Sequence, residues 1–122
     1  MKQLLSHQAT ILPVSNVENS IIYYTTKLGF TCSFKWEIPA SYAVLKRDGI
    51  TINLTLEEKI KDLENASICI FCHDVITVYE EYLKKGVAFA EQLNSTDYSM
   101  NEFVIVDIDN NKIIFGQGKD DS

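Results

Sequence analysis

The feature that most constrains this chain is that it reads as one short module written twice. Residues 8–14 (QATILPV) are apolar and β-branched and close on Pro13, which reads as a strand. Ser15 and Glu18 have the spacing of a capping box at a helix start. Val17, Ile21, Tyr24 and Leu28 then recur at helical spacing, and Gly29 stops that helix. Three strands follow at about 31–37, 41–46 and 50–56, and Asp48-Gly49 is a hairpin turn between the last two. The order then starts again. Residues 67–72 (SICIFC) read as a strand, and Asp74 caps a helix bearing Val75, Val78, Tyr82 and Leu83 that ends at Gly86. Strands near 87–92, 102–107 and 112–116 complete the copy, with a polar turn at Asp109-Asn110-Asn111. Asn16-Val17 recurs as Asp74-Val75 and Tyr24 as Tyr82, an offset of about 58 residues. The expected fold class is α+β. Two βαβββ modules, about 8–56 and 67–117, flank a charged linker at 57–66 within a single domain spanning 1–122. Two copies suit a pseudo-twofold domain with a cleft rather than a solenoid.

Charge and composition narrow the function. A net charge of −6 repels phosphate backbones and anionic lipids, so neither nucleic acid nor a membrane is an expected partner. No apolar run approaches the roughly 18 residues of a membrane span. Met1-Lys2-Gln3-Leu4-Leu5-Ser6-His7 is too weakly apolar for a secretory leader, so a cytoplasmic location with reduced Cys32, Cys69 and Cys72 is expected. Cys69-Ile70-Phe71-Cys72-His73 matches the haem-attachment spacing. On a strand, however, residues three apart face opposite ways, so these thiols diverge and read as small hydrophobes. Nucleophile-elbow, P-loop and dinucleotide glycine motifs do not occur.

Several short stretches stand in a fixed order: Ile11-Leu12-Pro13-Val14-x-Asn16-Val17, Tyr23-Tyr24, Lys27-Leu28-Gly29-Phe30, Tyr42 to Gly49, Asp74-Val75, Lys85-Gly86-Val87 and Glu102-Phe103-x-x-x-Asp107-x-Asp109-x-Asn111. In order and spacing, these together resemble the glyoxalase/bleomycin-resistance/dioxygenase (vicinal oxygen chelate) superfamily. The resemblance runs from about residue 8 to 117 and is nearest to the bleomycin-resistance branch. It implies curved half-barrel sheets, helices outside, a ligand groove inside, and commonly a homodimer. The Asp-Pro-Asp/Glu-Gly-Asn pattern is here Asp107-Ile108-Asp109-Asn110-Asn111. The Trp-Gly that often precedes Glu-Phe is Ser99-Met100.

Metalloenzymes of that superfamily hold a divalent ion on groove-facing strand positions. The resemblance places Ala9, Asn53, Ser67 and Ile114 at those positions, a set without the nitrogen and carboxylate donors such an ion needs. No metal, cofactor or catalytic residue is therefore expected. The reading is a metal-free binder that sequesters or carries a small organic compound. Taken from the positions the resemblance implies, strand alternation puts Ile11, Asn53, Ser67 and Ile114 on the groove side. Phe34 and Trp36, which share one face of their strand, and Tyr42 are expected to line it too, with Tyr98 and Met100 from the 94–101 loop over its mouth. Two alternatives stand beside it. One is a metal-dependent glyoxalase- or dioxygenase-like enzyme with relocated ligands such as His7, His73 and Glu102. The other is a dimeric interaction module whose groove holds no ligand.

Overall fold

The computed structural model describes residues 2–58 and 66–119. The first module comprises β1 (Thr10–Val14), α1 (Val17–Thr26), β2 (Thr31–Trp36), β3 (Tyr42–Arg47) and β4 (Ile50–Leu56). The second comprises β5 (Ser67–Phe71), α2 (Val75–Lys84), β6 (Phe89–Ser95), β7 (Met100–Val106) and β8 (Lys112–Gly118). Each forms a four-stranded mixed sheet, β1-β4-β3-β2 and β5-β8-β7-β6. The first strand of each module runs parallel to its last, and the other neighbours are antiparallel. The α+β duplication is thus present. Most of the 57–66 stretch read as a linker lies outside the described residues.

Alternation sorts the strands into two faces. Leu12, Val14, Ala43, Leu45, Ile52 and Leu54 are buried on the side where α1 packs with Val17, Tyr24 and Leu28. In the second module Ile70, Phe103, Ile105, Ile113 and Phe115 play that part against Val75 and Tyr82 of α2. The two cores differ in chemistry. Phe103 stacks on Phe115 (5.1 Å, 15°) and meets Tyr79, Tyr82 and Phe89. At the register position matching Phe103, the first module has Ala43 opposite Leu54.

The modules hold each other through their Tyr residues. The Tyr24 hydroxyl donates to Asp107 (2.7 Å), and the Tyr82 hydroxyl donates to the Leu28 carbonyl (2.9 Å). Arg47 bonds both oxygens of Glu81 (2.8 and 2.9 Å) and the Leu28 carbonyl (2.8 Å). Gly29 makes this approach possible. It sits at φ +79°, and a Cβ there would lie 2.7 Å from Arg47 Nη1.

Three sequence expectations need correction. The first helix is capped by Asn16, whose side chain accepts from Asn19 N–H, and not by a Ser15–Glu18 box. Ser15 N–H instead donates to Asp109, and Glu18 accepts from Ala40 N–H and Lys35 Nζ. Leu83 is 51% exposed, and Tyr79 packs inward toward Phe89 and Phe103. The polar turn is present at 107–111, and within it Asp107, Asp109 and Asn111 are buried because their side chains serve the module interface, while Ile108 is exposed. The 94–101 stretch is not a loop throughout: β6 runs to Ser95 and β7 starts at Met100, which leaves only a hairpin tip.

Candidate functional site

The strand faces turned away from the helices are open in the single chain. In the first sheet Ile11, Asn53, Val44 and Phe34 form one cross-strand row, and Thr55, Tyr42 and Trp36 form the next. Ile11 and Phe34 are largely exposed and Trp36 is 60% exposed, a costly presentation of apolar surface to water. Asn53 Nδ2 donates to the Tyr42 hydroxyl at 2.6 Å, while its Oδ1 is buried without a hydrogen-bond partner. In the second sheet the rows are Ser67, Lys112 and Val106, then Cys69, Ile114 and Val104, then Phe71, Gly116 and Glu102.

The expected groove residues therefore divide into two groups. Ile11, Phe34, Trp36, Tyr42 and Asn53 share the first open face, and Ser67 and Ile114 share the second. Tyr98 lies at the β6–β7 hairpin tip and donates to Glu102 (2.6 Å), a bond that raises the Tyr98 pKa. Met100 begins β7, and its terminal methyl lies 3.0 Å from where a Gly116 Cβ would sit, so glycine makes room for it. Val44, Val104, Glu102 and Gly116 belong to the same faces. Alternation applied to the central strands, rather than only to the outer ones, identifies them.

The four positions Ala9, Asn53, Ser67 and Ile114 do not make a donor set for a divalent ion. Ile11 lies opposite Asn53, and Ala9 is exposed just before β1. Ser67 lies opposite Lys112, and Ile114 opposite Cys69. A methyl, an amide already engaged by Tyr42, a hydroxyl and a branched alkyl make a poor donor set. Among the described residues no three His, Cys, Asp or Glu side chains are grouped to hold a metal. His7, His73 and Glu102 are consequently not brought together.

The cysteines diverge as alternation requires. Cys69 lies exposed on the open face, and Cys72 is half-buried past the strand end; all three cysteines are free. Burial pushes the Cys72 thiol up to about 11, and burial also raises Cys69. At pH 8, iodoacetamide should alkylate Cys72 about tenfold or more slowly in the folded chain than in urea, by peptide mass spectrometry. A raised folded pKa contributes stability below the unfolded value, and that stability is lost as pH climbs through the folded one. Burial lifts Tyr23 as well, to about 12, and Tyr24 well above its ordinary value. The stability of the chain should therefore decline from about pH 9 to pH 12, as measured by urea midpoints across that range.

No helix among the described residues is long and apolar enough to cross a membrane. No curated protein sequence gives a significant match. Solved structures do match in fold. A glyoxalase/bleomycin resistance protein/dioxygenase from Alicyclobacillus acidocaldarius has TM-score 0.83 at 17% identity, over 99% of this chain and 97% of that one. A bleomycin-binding protein complexed with bleomycin has TM-score 0.81 at 16% identity, over 93% and 99%. The bleomycin-binding protein of Streptomyces verticillus, complexed with copper(II)-bleomycin, has TM-score 0.73 at 22% identity, over 97% and 99%. The duplicated βαβββ topology and the paired open faces agree with a family match over residues 5–115, and the chain belongs to the Glyoxalase/Bleomycin resistance protein/Dioxygenase superfamily.

Proposed function

We propose that this protein is a metal-free binder of a small organic compound, of the bleomycin-resistance type, which sequesters or carries its ligand without transforming it. The observation that carries the reading is the donor set of the open faces. Where metalloenzymes of the superfamily place ligands, this chain has Ala9, Asn53, Ser67 and Ile114. Around them stand the elements of an organic-ligand site: exposed rings at Phe34 and Trp36, the Tyr42–Asn53 hydrogen-bonded pair, and a carboxylate at Glu102. A neutral or cationic planar compound suits both the rings and the net charge of −6. One open face alone covers a ligand on one side. Two copies, each offering its first sheet to the partner's second, would enclose it, and a homodimer is the assembly this reading requires. The bleomycin complexes of two structural neighbours support an antibiotic as the first class to try.

The test is a thermal-shift panel of antibiotics and other planar or cationic compounds, because binding to the native state at 100 times Kd adds about 2.7 kcal/mol of stability. The panel is expected to contain compounds that raise Tm in proportion to the logarithm of concentration. Trp36→Ala should then weaken the best compound by about 0.5–2 kcal/mol, up to roughly 30-fold by calorimetry, from lost stacking. It should leave the fold of the single chain intact, as read by far-UV circular dichroism, because Trp36 is mostly exposed there. Unaltered affinity in the variant would place the ligand elsewhere.

A further inference from the structure

The pseudo-twofold that relates the modules is broken at one pair of turns. Val106 pairs with Lys112, so residues 107–111 join β7 to β8, whereas Arg47 pairs with Ile50, so Asp48 and Gly49 alone join β3 to β4. The longer turn fills the crevice beside the start of α1. Asp109 accepts from Ser15 N–H (3.1 Å), Asn111 Nδ2 donates to the Pro13 carbonyl (2.9 Å), and Asp107 takes the Tyr24 hydroxyl. At the matching crevice beside α2 the short hairpin has no residues to play these parts. A cavity of about 420 Å³ is left there, between the β3–β4 hairpin and the β5–α2 connection.

We propose that this cavity is a second small-molecule site, separate from the open strand faces, for a compact, neutral, flat aromatic compound. Its walls are Phe30, Ile70, Val78 and Phe115, with Arg47 and Cys72 also lining it. Phe30, Ile70 and Phe115 are nearly fully buried, so these walls are fixed by the core and need no rearrangement on binding. The guanidinium is already satisfied by Glu81 and the Leu28 carbonyl, so its charge is balanced and an anion gains little there. Asp48 at the hairpin further disfavours an anion, and Asp74 at the opposite rim spends both carboxylate oxygens on Thr77. What remains is an aromatic and aliphatic slot of a size that small organic ligands occupy.

The test is a titration of the full chain with N-phenyl-1-naphthylamine, a neutral aromatic probe, followed by amide chemical shifts and probe fluorescence. Saturable shifts are expected at residues 47–50 and 70–78. Thr77→Trp, an exposed position on the cavity rim, should weaken this binding at least tenfold, and Val78→Phe should do the same from the wall. Trp36→Ala should leave these shifts intact, which separates this site from the open faces. Three results would overturn the proposal: no saturable binding, shifts confined to the open strand faces, or affinity indifferent to both cavity variants. A fourth would also do so. If binding emerges only after deletion of residues 2–8, whose Leu4 and Leu5 are exposed, the N-terminal arm and not a free compound is the occupant.

Discussion

Asp107→Ala is expected to lower the unfolding free energy by about 3–5 kcal/mol, the scale for removing the acceptor from a buried hydrogen-bonded cluster. Asp107 is nearly fully buried and its carboxylate is saturated. Oδ1 accepts from the backbone N–H groups of Asp109 and Asn111 (both 2.9 Å), and Oδ2 accepts from the Tyr24 hydroxyl (2.7 Å) and Asn111 Nδ2 (3.0 Å). An alanine leaves all four donors without this partner in a place water reaches poorly. The loss falls on the contact between modules, so it should appear as a lower urea midpoint and a Tm drop on the order of 10 °C or more. Tyr24→Phe removes one of the four bonds and should cost about 1–3 kcal/mol. A loss below 1 kcal/mol for Asp107→Ala would show that the turn is not what holds the halves together.

Phe103→Ala should be comparably damaging, at about 3–5 kcal/mol, through a cavity in the aromatic core of the second module. The ring is fully buried, lies flat on Phe115, and is met by Tyr79, Tyr82 and Phe89 at centroid distances of 5.2, 6.1 and 5.7 Å. These neighbours are anchored by their own strands and helix, so the space cannot collapse cheaply. Phe103→Leu keeps most of the volume and should cost less than half as much, while Ala43→Phe at the matching position of the first module should overpack by about 1–3 kcal/mol. Denaturant unfolding of the three variants tests the claim that one backbone module is filled by two different packing chemistries. Equal costs for Phe103→Ala and Phe103→Leu would contradict it.

The duplication was legible because it rests on local signals. Helical spacing from Val17 to Leu28, alternation in 50–56, Asp48-Gly49, and glycines at Gly29 and Gly86 each act within a few residues. The first helix's cap is not legible in the sequence, because both members of the Ser15–Glu18 box are claimed from afar, Ser15 N–H by Asp109 and Glu18 by Ala40 N–H. The burial of Asp107, Asp109 and Asn111 was hidden for the same reason: a polar turn looks solvated until its partners, more than 80 residues away, are placed beside it. Strands β6 and β7 extend past their apolar stretches, to Ser95 and from Met100, because backbone pairing, as at Ser95 opposite Asn101, needs no apolar side chain. The open faces were largely legible, since alternation assigns Trp36, Asn53 and Ile114 without knowledge of the sheet order. The cavity beside Arg47 was not, since it arises from a difference in turn length between halves that are otherwise alike.

The central claim is that the strand faces hold an organic molecule and no metal ion. It can be turned around: Ala9→His, Asn53→Glu, Ser67→His and Ile114→Glu together should create transition-metal binding that is not expected of the unsubstituted chain. The most direct measurement is native mass spectrometry of the purified, unmodified protein, which reports subunit number, metal and retained small molecules together. A dimer mass without stoichiometric transition metal, shifted by the mass of an added planar ligand, is the expected result. One tightly held nickel, zinc, manganese or iron ion per site, lost together with an enzymatic activity on chelation, would contradict it.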